Sequence, residues 1–273
     1  MSSEALIDIG CNLGHASFRS DRDAVIDRAL AAGVREIIIT GTSEASSREA
    51  VAIARSRPGV LFATAGIHPH NARTWSADVA RAVSELAASP EVVAIGECGL
   101  DFNRDFSPRP AQERCFEAHL DLAKQIAKKP LFLHERDAHA RFAAILREHR
   151  ASFGAAVVHC FTGSSEELDV YLDLDLHIGI TGWICDERRG QHLRSLLPRI
   201  PLARLMIETD APFLVPRDMR PRPSRNEPAF LPRVLDAVAT SLKLPPAEVA
   251  RATTATARAF FSTPHLGATS SLP

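Results

Sequence analysis

Eight times along its 273 residues the chain sets a short apolar run before a stretch of helical periodicity. The runs fall at residues 6–9, 36–40, 60–65, 92–95, 131–133, 156–158, 178–180 and 205–207. Apolar runs of this length suit strands buried on both faces, the state of parallel strands covered by crossover helices. The clearest helical stretches are 21–32, where Val25, Ala29, Leu30 and Ala32 form one face before Gly33, then 43–56, 76–88, 110–128 and a closing 245–261. Eight strand–helix alternations without a break in composition argue for a closed ring rather than an open doubly wound sheet. The expectation is an α/β protein with a single (β/α)8 TIM barrel over residues 1–264 and a loose tail at 265–273, since about 250 residues is the usual size of such a barrel.

Composition adds exclusions. With 45% hydrophobic and 24% charged residues the chain has the make-up of an ordinary globular protein. Its five cysteines, Cys11, Cys98, Cys115, Cys160 and Cys185, form no C-x-x-C pair and read as reduced, packed thiols. The N-terminus lacks a basic segment before an apolar core, and no stretch offers the roughly eighteen apolar residues of a membrane span, so a cytoplasmic location is expected. A net charge of −1 and pI near 6.8 give no general attraction to phosphate backbones, so nucleic-acid binding has to come from a local patch. No glycine-rich phosphate loop follows a strand, which disfavours nucleotide cofactors.

Four potential metal ligands stand at strand ends: Glu97 in Val-Val-Ala-Ile-Gly-Glu, His134 in Pro-Leu-Phe-Leu-His, His159 in Ala-Ala-Val-Val-His and Asp210 in Leu-Met-Ile-Glu-Thr-Asp. In a barrel all four reach the carboxyl-end mouth, where active sites lie. Two imidazoles and two carboxylates suit a borderline or hard divalent cation, which makes hydroxide from water near neutral pH. A metal-dependent hydrolase is therefore expected, with Asp210 able both to coordinate and to take the proton of the attacking water. Glu208, beside Asp210, reads as a supporting group.

The motifs carry a resemblance. Gly-Glu-Cys-Gly-Leu-Asp-Phe (96–102), Leu-His-Glu-Arg-Asp-Ala (133–138), Val-His-Cys-Phe-Thr-Gly (158–163) and Ile-Glu-Thr-Asp-Ala-Pro (207–212) resemble the four signatures of the TatD family of metal-dependent deoxyribonucleases. The likeness extends to Ala-Gly-Ile-His-Pro-His (65–70), Ile-Gly-Ile-Thr-Gly-Trp (178–183) and Arg-Asn-Glu-Pro (225–228), and so spans the chain. Many members begin with Asp-x-His-x-His, which supplies two ligands to a first metal; here the segment is Asp8-Ile9-Gly10-Cys11-Asn12. That departure resembles the subgroup lacking the pair, and leaves a site of one well-held ion on Glu97, His134, His159 and Asp210.

The resemblance implies a 3′-to-5′ exonuclease on single-stranded DNA, with RNA as a further substrate, DNA repair as the setting and magnesium as the ion. The ligand set itself also accepts manganese or zinc. It further implies that His68 and His70 contact substrate phosphate, with Glu97, Asp210 and His68 carrying the catalysis. Arg136 is a candidate phosphate ligand. Arg217, Arg220, Arg222 and Arg225 sit in a proline-stiffened loop after strand eight and form a candidate nucleic-acid patch, Arg225 within the family-like motif. Phe102, Phe106, Phe161, Trp183 and Phe213 are candidate stacking surfaces for bases, and Trp75 is assigned to packing. A monomer without an obligate protein partner is expected. Two other readings stay open: a metal-dependent hydrolase of aminoacyl-tRNA esters or small molecules, since fold does not settle substrate, and a non-enzymatic nucleic-acid binder, which the intact ligand set disfavours.

Overall fold

A computed structural model of the chain describes residues 4–126, 129–188 and 190–263. Eight parallel strands pair in chain order, β1 (Leu6–Cys11), β2 (Val34–Ile39), β3 (Leu61–Ala65), β4 (Val92–Asp101), β5 (Leu131–Arg136), β6 (Ala156–Val158), β7 (His177–Ile180) and β8 (Leu205–Ile207). The ring closes just past β8, where the Asp210 N–H donates to the Gly10 carbonyl at 2.8 Å and the Asn12 N–H to the Ala211 carbonyl at 2.7 Å. Helices α1 (Arg22–Ala31), α2 (Glu44–Ala54), α3 (Ala77–Ala87), α4 (Arg109–Gln125), α5 (His139–Glu148), α6 (Ser165–Asp173), α7 (Gln191–Leu196), α8 (Leu231–Leu242) and α9 (Pro246–Phe261) follow the strands. The predicted barrel is thus present. The tail at 265–273 and the expected end of the fourth helix at 127–128 lie outside the described residues.

Local chemistry sets several boundaries. Ser43 and Ser164 cap α2 and α6 reciprocally with Ser46 and Glu167, satisfying amide donors that a helix start leaves open. Among the described residues no helix is long and apolar enough to cross a membrane. All five cysteines are free thiols.

Strand alternation decides what reaches the site. Ile7, Ile9, Ile38, Phe62, Phe132, Val157 and Met206 come from six strands yet form one buried cluster, so they fill the barrel interior; Phe260 and Phe261 of α9 join it and close the amino-end of the barrel. Their chain neighbours Leu131, Leu133, Val158 and Leu205 pack outward in the main core under the helices. Because side chains alternate with period two, the next interior positions toward the mouth are His134 after Phe132, His159 after Val157 and Glu208 after Met206. The apolar floor and the polar mouth are successive layers of the same strands.

β4 departs from this pattern and from expectation. Residues 96–109 read as a long loop, yet β4 runs on to Asp101. Gly96 pairs with Phe132 and Cys98 with Leu133, leaving Glu97 as an extra residue in a bulge. A bulge re-aims a side chain, and here it turns Glu97 into the mouth, among the histidines. Gly96 and Gly99 have φ of 138° and 142°, a region closed to residues with a Cβ. A methyl at Gly99 would also collide with the His134 carbonyl across the strand pair.

Candidate active site

Three imidazoles converge on a single carboxylate oxygen. Glu97 Oε1 lies 2.7 Å from His159 Nε2, 2.9 Å from His134 Nδ1 and 3.4 Å from His68 Nε2. Glu97 is buried, but the surrounding imidazoles outweigh the cost of burial and hold its carboxyl well below the usual range. Burial works against protonation of His159 and His134, yet Glu97 and Glu208 hold the first well above its ordinary value, and Asp101 and Glu97 raise the second. Asp210 lines the same cleft, where its Oδ1 accepts from Asn12 Nδ2 at 3.0 Å. Burial, with Glu97 and Glu208 nearby, pushes Asp210 up to about 7 against the opposing pull of His159.

The two loop histidines behave differently. His68 follows β3 and its Nδ1 accepts the His70 N–H at 3.1 Å, which leaves the neutral ring carrying its proton on Nε2, toward Glu97. Burial pushes His68 down to about 4, so it stays neutral at pH 7. His70 instead bonds Asp101 through Nε2 at 2.8 Å. Asp101 escaped the sequence reading because it lay in what looked like a loop. Although buried, it is held well below the ordinary range by His134, the Arg104 amide and His70. The period-two pattern restarted after the bulge at Glu97 was the signal that would have found it.

Glu208 is fully buried beneath this layer. It accepts the Cys160 N–H through Oε1 and sets Oε2 3.4 Å from His159 Nδ1, so it orients that imidazole from behind.

The donor set fits a divalent ion. Ligand atoms of His68, Glu97 and His134 all lie within 4.8 Å of one another, and His159 Nε2 reaches the same Glu97 oxygen. The buried His134 Nε2 and His159 Nδ1 have no close hydrogen-bond partner, their nearest carboxylate oxygens being at 3.5 and 3.4 Å. Tightly grouped nitrogen and oxygen donors with incompletely satisfied imidazoles are what a borderline cation requires. His68, expected to contact substrate phosphate and to share in the catalysis, stands beside this group with its Nε2–H toward Glu97.

The cleft above has a volume of about 1060 Å³. Arg136, at the end of β5, lines it, as does Arg104, which the sequence reading missed; both are exposed, and neither has a carboxylate partner among the described residues. Arg225 is not brought to the cleft. Its guanidinium bonds Asp21 at 2.5 Å and Glu227 at 3.0 Å and lies over the Phe18 ring. The expectation that Arg225 binds substrate is corrected accordingly: the loop arginine finds carboxylate partners on α1's cap and in its own motif. Of the expected stacking residues, Phe161 is buried, Phe102 packs under Arg109, Trp183 lines the cleft half-buried, and Phe106 and Phe213 are exposed.

Known proteins share this architecture. The sequence profile described as TatD related DNase matches residues 7–262. A Pantoea vagans protein named 3′-5′ ssDNA/RNA exonuclease TatD is 54% identical over 237 residues, 86% of this chain and 91% of its own. An Erwinia billingiae protein of the same name is 52% identical over 261 residues, covering 95% of this chain and 100% of its own. The crystal structure of YjjV, a TatD homologue from Escherichia coli K12, superposes with a TM-score of 0.86 at 29% identity, over 95% of this chain and 98% of that one. With its ring of eight strands, its Glu97-centred histidine cluster and a match across nearly its whole length, the chain belongs to the family of TatD-related DNases.

Proposed function

We propose that the chain is a metal-dependent exonuclease that removes nucleotides from the 3′ end of single-stranded DNA and RNA. The observation that carries this is the convergence of His68, His134 and His159 on Glu97 at the floor of an open cleft, in a chain whose close relatives bear that activity in their names.

In this reading Glu97, His134, His159 and Asp210 hold one divalent ion, magnesium, in a site that manganese or zinc also satisfies. When bound, the ion supplies an activated water and polarises the phosphate. Asp210, at the edge of the ion's ligand set, takes the proton from the attacking water. The neutral His68, which lines the cleft with its Nε2–H toward Glu97, would turn that donor to a phosphate oxygen of a bound strand, where developing charge strengthens the bond. His70, held by Asp101, and Arg136 at the rim orient the strand. The reading places the protein in the cytoplasm as a monomer that trims damaged strands; five unpaired thiols agree with a reducing compartment.

The test is digestion of end-labelled single-stranded DNA and RNA with free or blocked 3′ ends, with magnesium, manganese, zinc or chelator. Stepwise loss from the free 3′ end, restored by metal and abolished in Glu97→Ala and His159→Ala, is expected. Undiminished cleavage in either variant removes the proposed site. No cleavage under any metal moves the substrate to aminoacyl esters or small molecules.

A further inference from the structure

Among the described residues, the exposed large hydrophobic side chains are Phe106 and Phe213, at 57% and 50%. Both stand at the active-site mouth. Phe213 lines the cleft, edge-on to His15 at 5.4 Å between ring centres. Phe106 packs edge-on to His70 at 4.7 Å, and His70 lines the cleft. The segments that carry them follow β4 and β8, which in an eight-membered ring stand four strands apart, on opposite sides of the barrel.

Neither ring sits on a loose loop. The Phe213 N–H donates to the Asp210 carbonyl at 3.0 Å, which ties this ring to a proposed metal ligand. Beside Phe106, the Ser107 hydroxyl donates to the His70 carbonyl at 2.9 Å and accepts the Arg73 N–H at 3.1 Å, while Asp105 pairs with Arg109. Exposed aromatics fixed in advance lose little freedom when a partner covers them. The cleft between them holds the Glu97 cluster, and Arg104 and Arg136 offer guanidiniums to a phosphate backbone.

Resting on the nuclease reading above, we propose that Phe106 and Phe213 are two base-stacking platforms on opposite rims, which seat nucleobases of the strand end while the phosphate between them lies at the Glu97 cluster. Every base has a face to stack and none needs its edge read, so the enzyme takes base-bearing ends irrespective of sequence. Bases still paired and stacked in a duplex cannot reach either ring, and this selects single strands.

The test compares an oligonucleotide with one of the same length whose last three 3′ residues are abasic. The wild type is expected to prefer the base-bearing end, and Phe106→Ala and Phe213→Ala each to lower kcat/KM on it by about 10-fold, through KM, while leaving the abasic substrate unaffected. Phe106→Trp and Phe213→Trp keep the preference, and thermal melting shows that the alanine variants remain folded. Equal processing of both substrates by the wild type, or equal losses on both in the alanine variants, overturns the proposal and points to packing or to a protein partner for these rings. A second measurement separates this from failure of the nuclease reading: anisotropy with labelled, cleavage-resistant phosphorothioate versions of both strands. A base preference in binding that the alanine variants lose supports the platforms even where no strand is cut, and absence of that preference overturns them even where cleavage is seen.

Discussion

His119 Nε2 accepts the backbone N–H of Ile67 at 3.1 Å, and its Nδ1–H donates to the Cys115 carbonyl at 2.6 Å. The buried ring on α4 thereby pins the chain one residue before His68. Both bonds require the neutral imidazole, because a proton on Nε2 would face the Ile67 N–H. Burial accordingly pushes His119 down to about 4. The unfolded chain takes up this proton near pH 6.5 and the folded one does not, so the contribution is fully present above that pH and is lost as pH falls toward 4, by up to about 3 kcal/mol. His119→Gln keeps an acceptor and a donor but does not titrate. Urea unfolding at pH 7.5 and 4.5 is expected to show a smaller acid loss in the variant, and equal losses would remove this account.

Glu208 is accommodated because Gly10 has no side chain: a methyl there would collide with the Glu208 carboxylate. Gly10→Ala is expected to destabilise the protein by about 1–3 kcal/mol, the usual cost of overpacking a filled interior. The hard clash is with the Glu208 side chain, with the tip of the Phe132 ring in tight contact beside it, so the penalty is not additive. Measured in a Glu208→Ala background it should fall to about 1 kcal/mol or less. An unchanged penalty in the double-mutant cycle would place the strain in the β1 backbone instead.

Metal uptake is expected to weaken as pH falls. His134 and His159 have raised affinities for protons, the first because Asp101 and Glu97 lie against it and the second because Glu97 and Glu208 do, and a cation has to displace those protons to bind. Titration calorimetry of manganese binding in buffers of different ionisation enthalpy should reveal net proton release, greater at pH 6 than at pH 8. Uptake with no proton release and no pH dependence would contradict the charge state drawn for the cluster.

Phe132 and His134, Val157 and His159, and Met206 and Glu208 show why much of the site was readable from sequence: once the strands are placed, a period of two assigns the interior face without further information. Glu97 escaped that logic, because the bulge after Gly96 changes phase by one residue and nothing local announces it. Asp101 was lost to the same cause, since β4 continues past the point where its apolar run ends. Arg225 was misplaced for a different reason. Its partner Asp21 lies 204 residues earlier in the chain, and one sequence cannot show a pairing that only the closed ring creates.

That pairing separates two kinds of arginine at the mouth. Arg225 bridges Asp21 and Glu227, with Arg28 on the other side of Glu227 at 2.8 Å, and so ties the segment after β8 to α1. Removing Arg225 leaves a largely buried Glu227 with one cation fewer; Arg225→Ala is expected to lower unfolding stability by about 1–2 kcal/mol, below the cost of breaking a fully buried pair because Arg225 and Asp21 are partly exposed. Strand binding at fixed salt should be unchanged. Among the described residues Arg104 and Arg136 have no carboxylate to hold them, and both line the cleft, so Arg104→Ala and Arg136→Ala should leave stability within about 0.5 kcal/mol. Each should make the dependence of log K on log salt shallower by about 0.7, one phosphate contact on a single strand. A change of slope in Arg225→Ala, or none in Arg136→Ala, would reverse the assignment and return the substrate contact to the loop after β8.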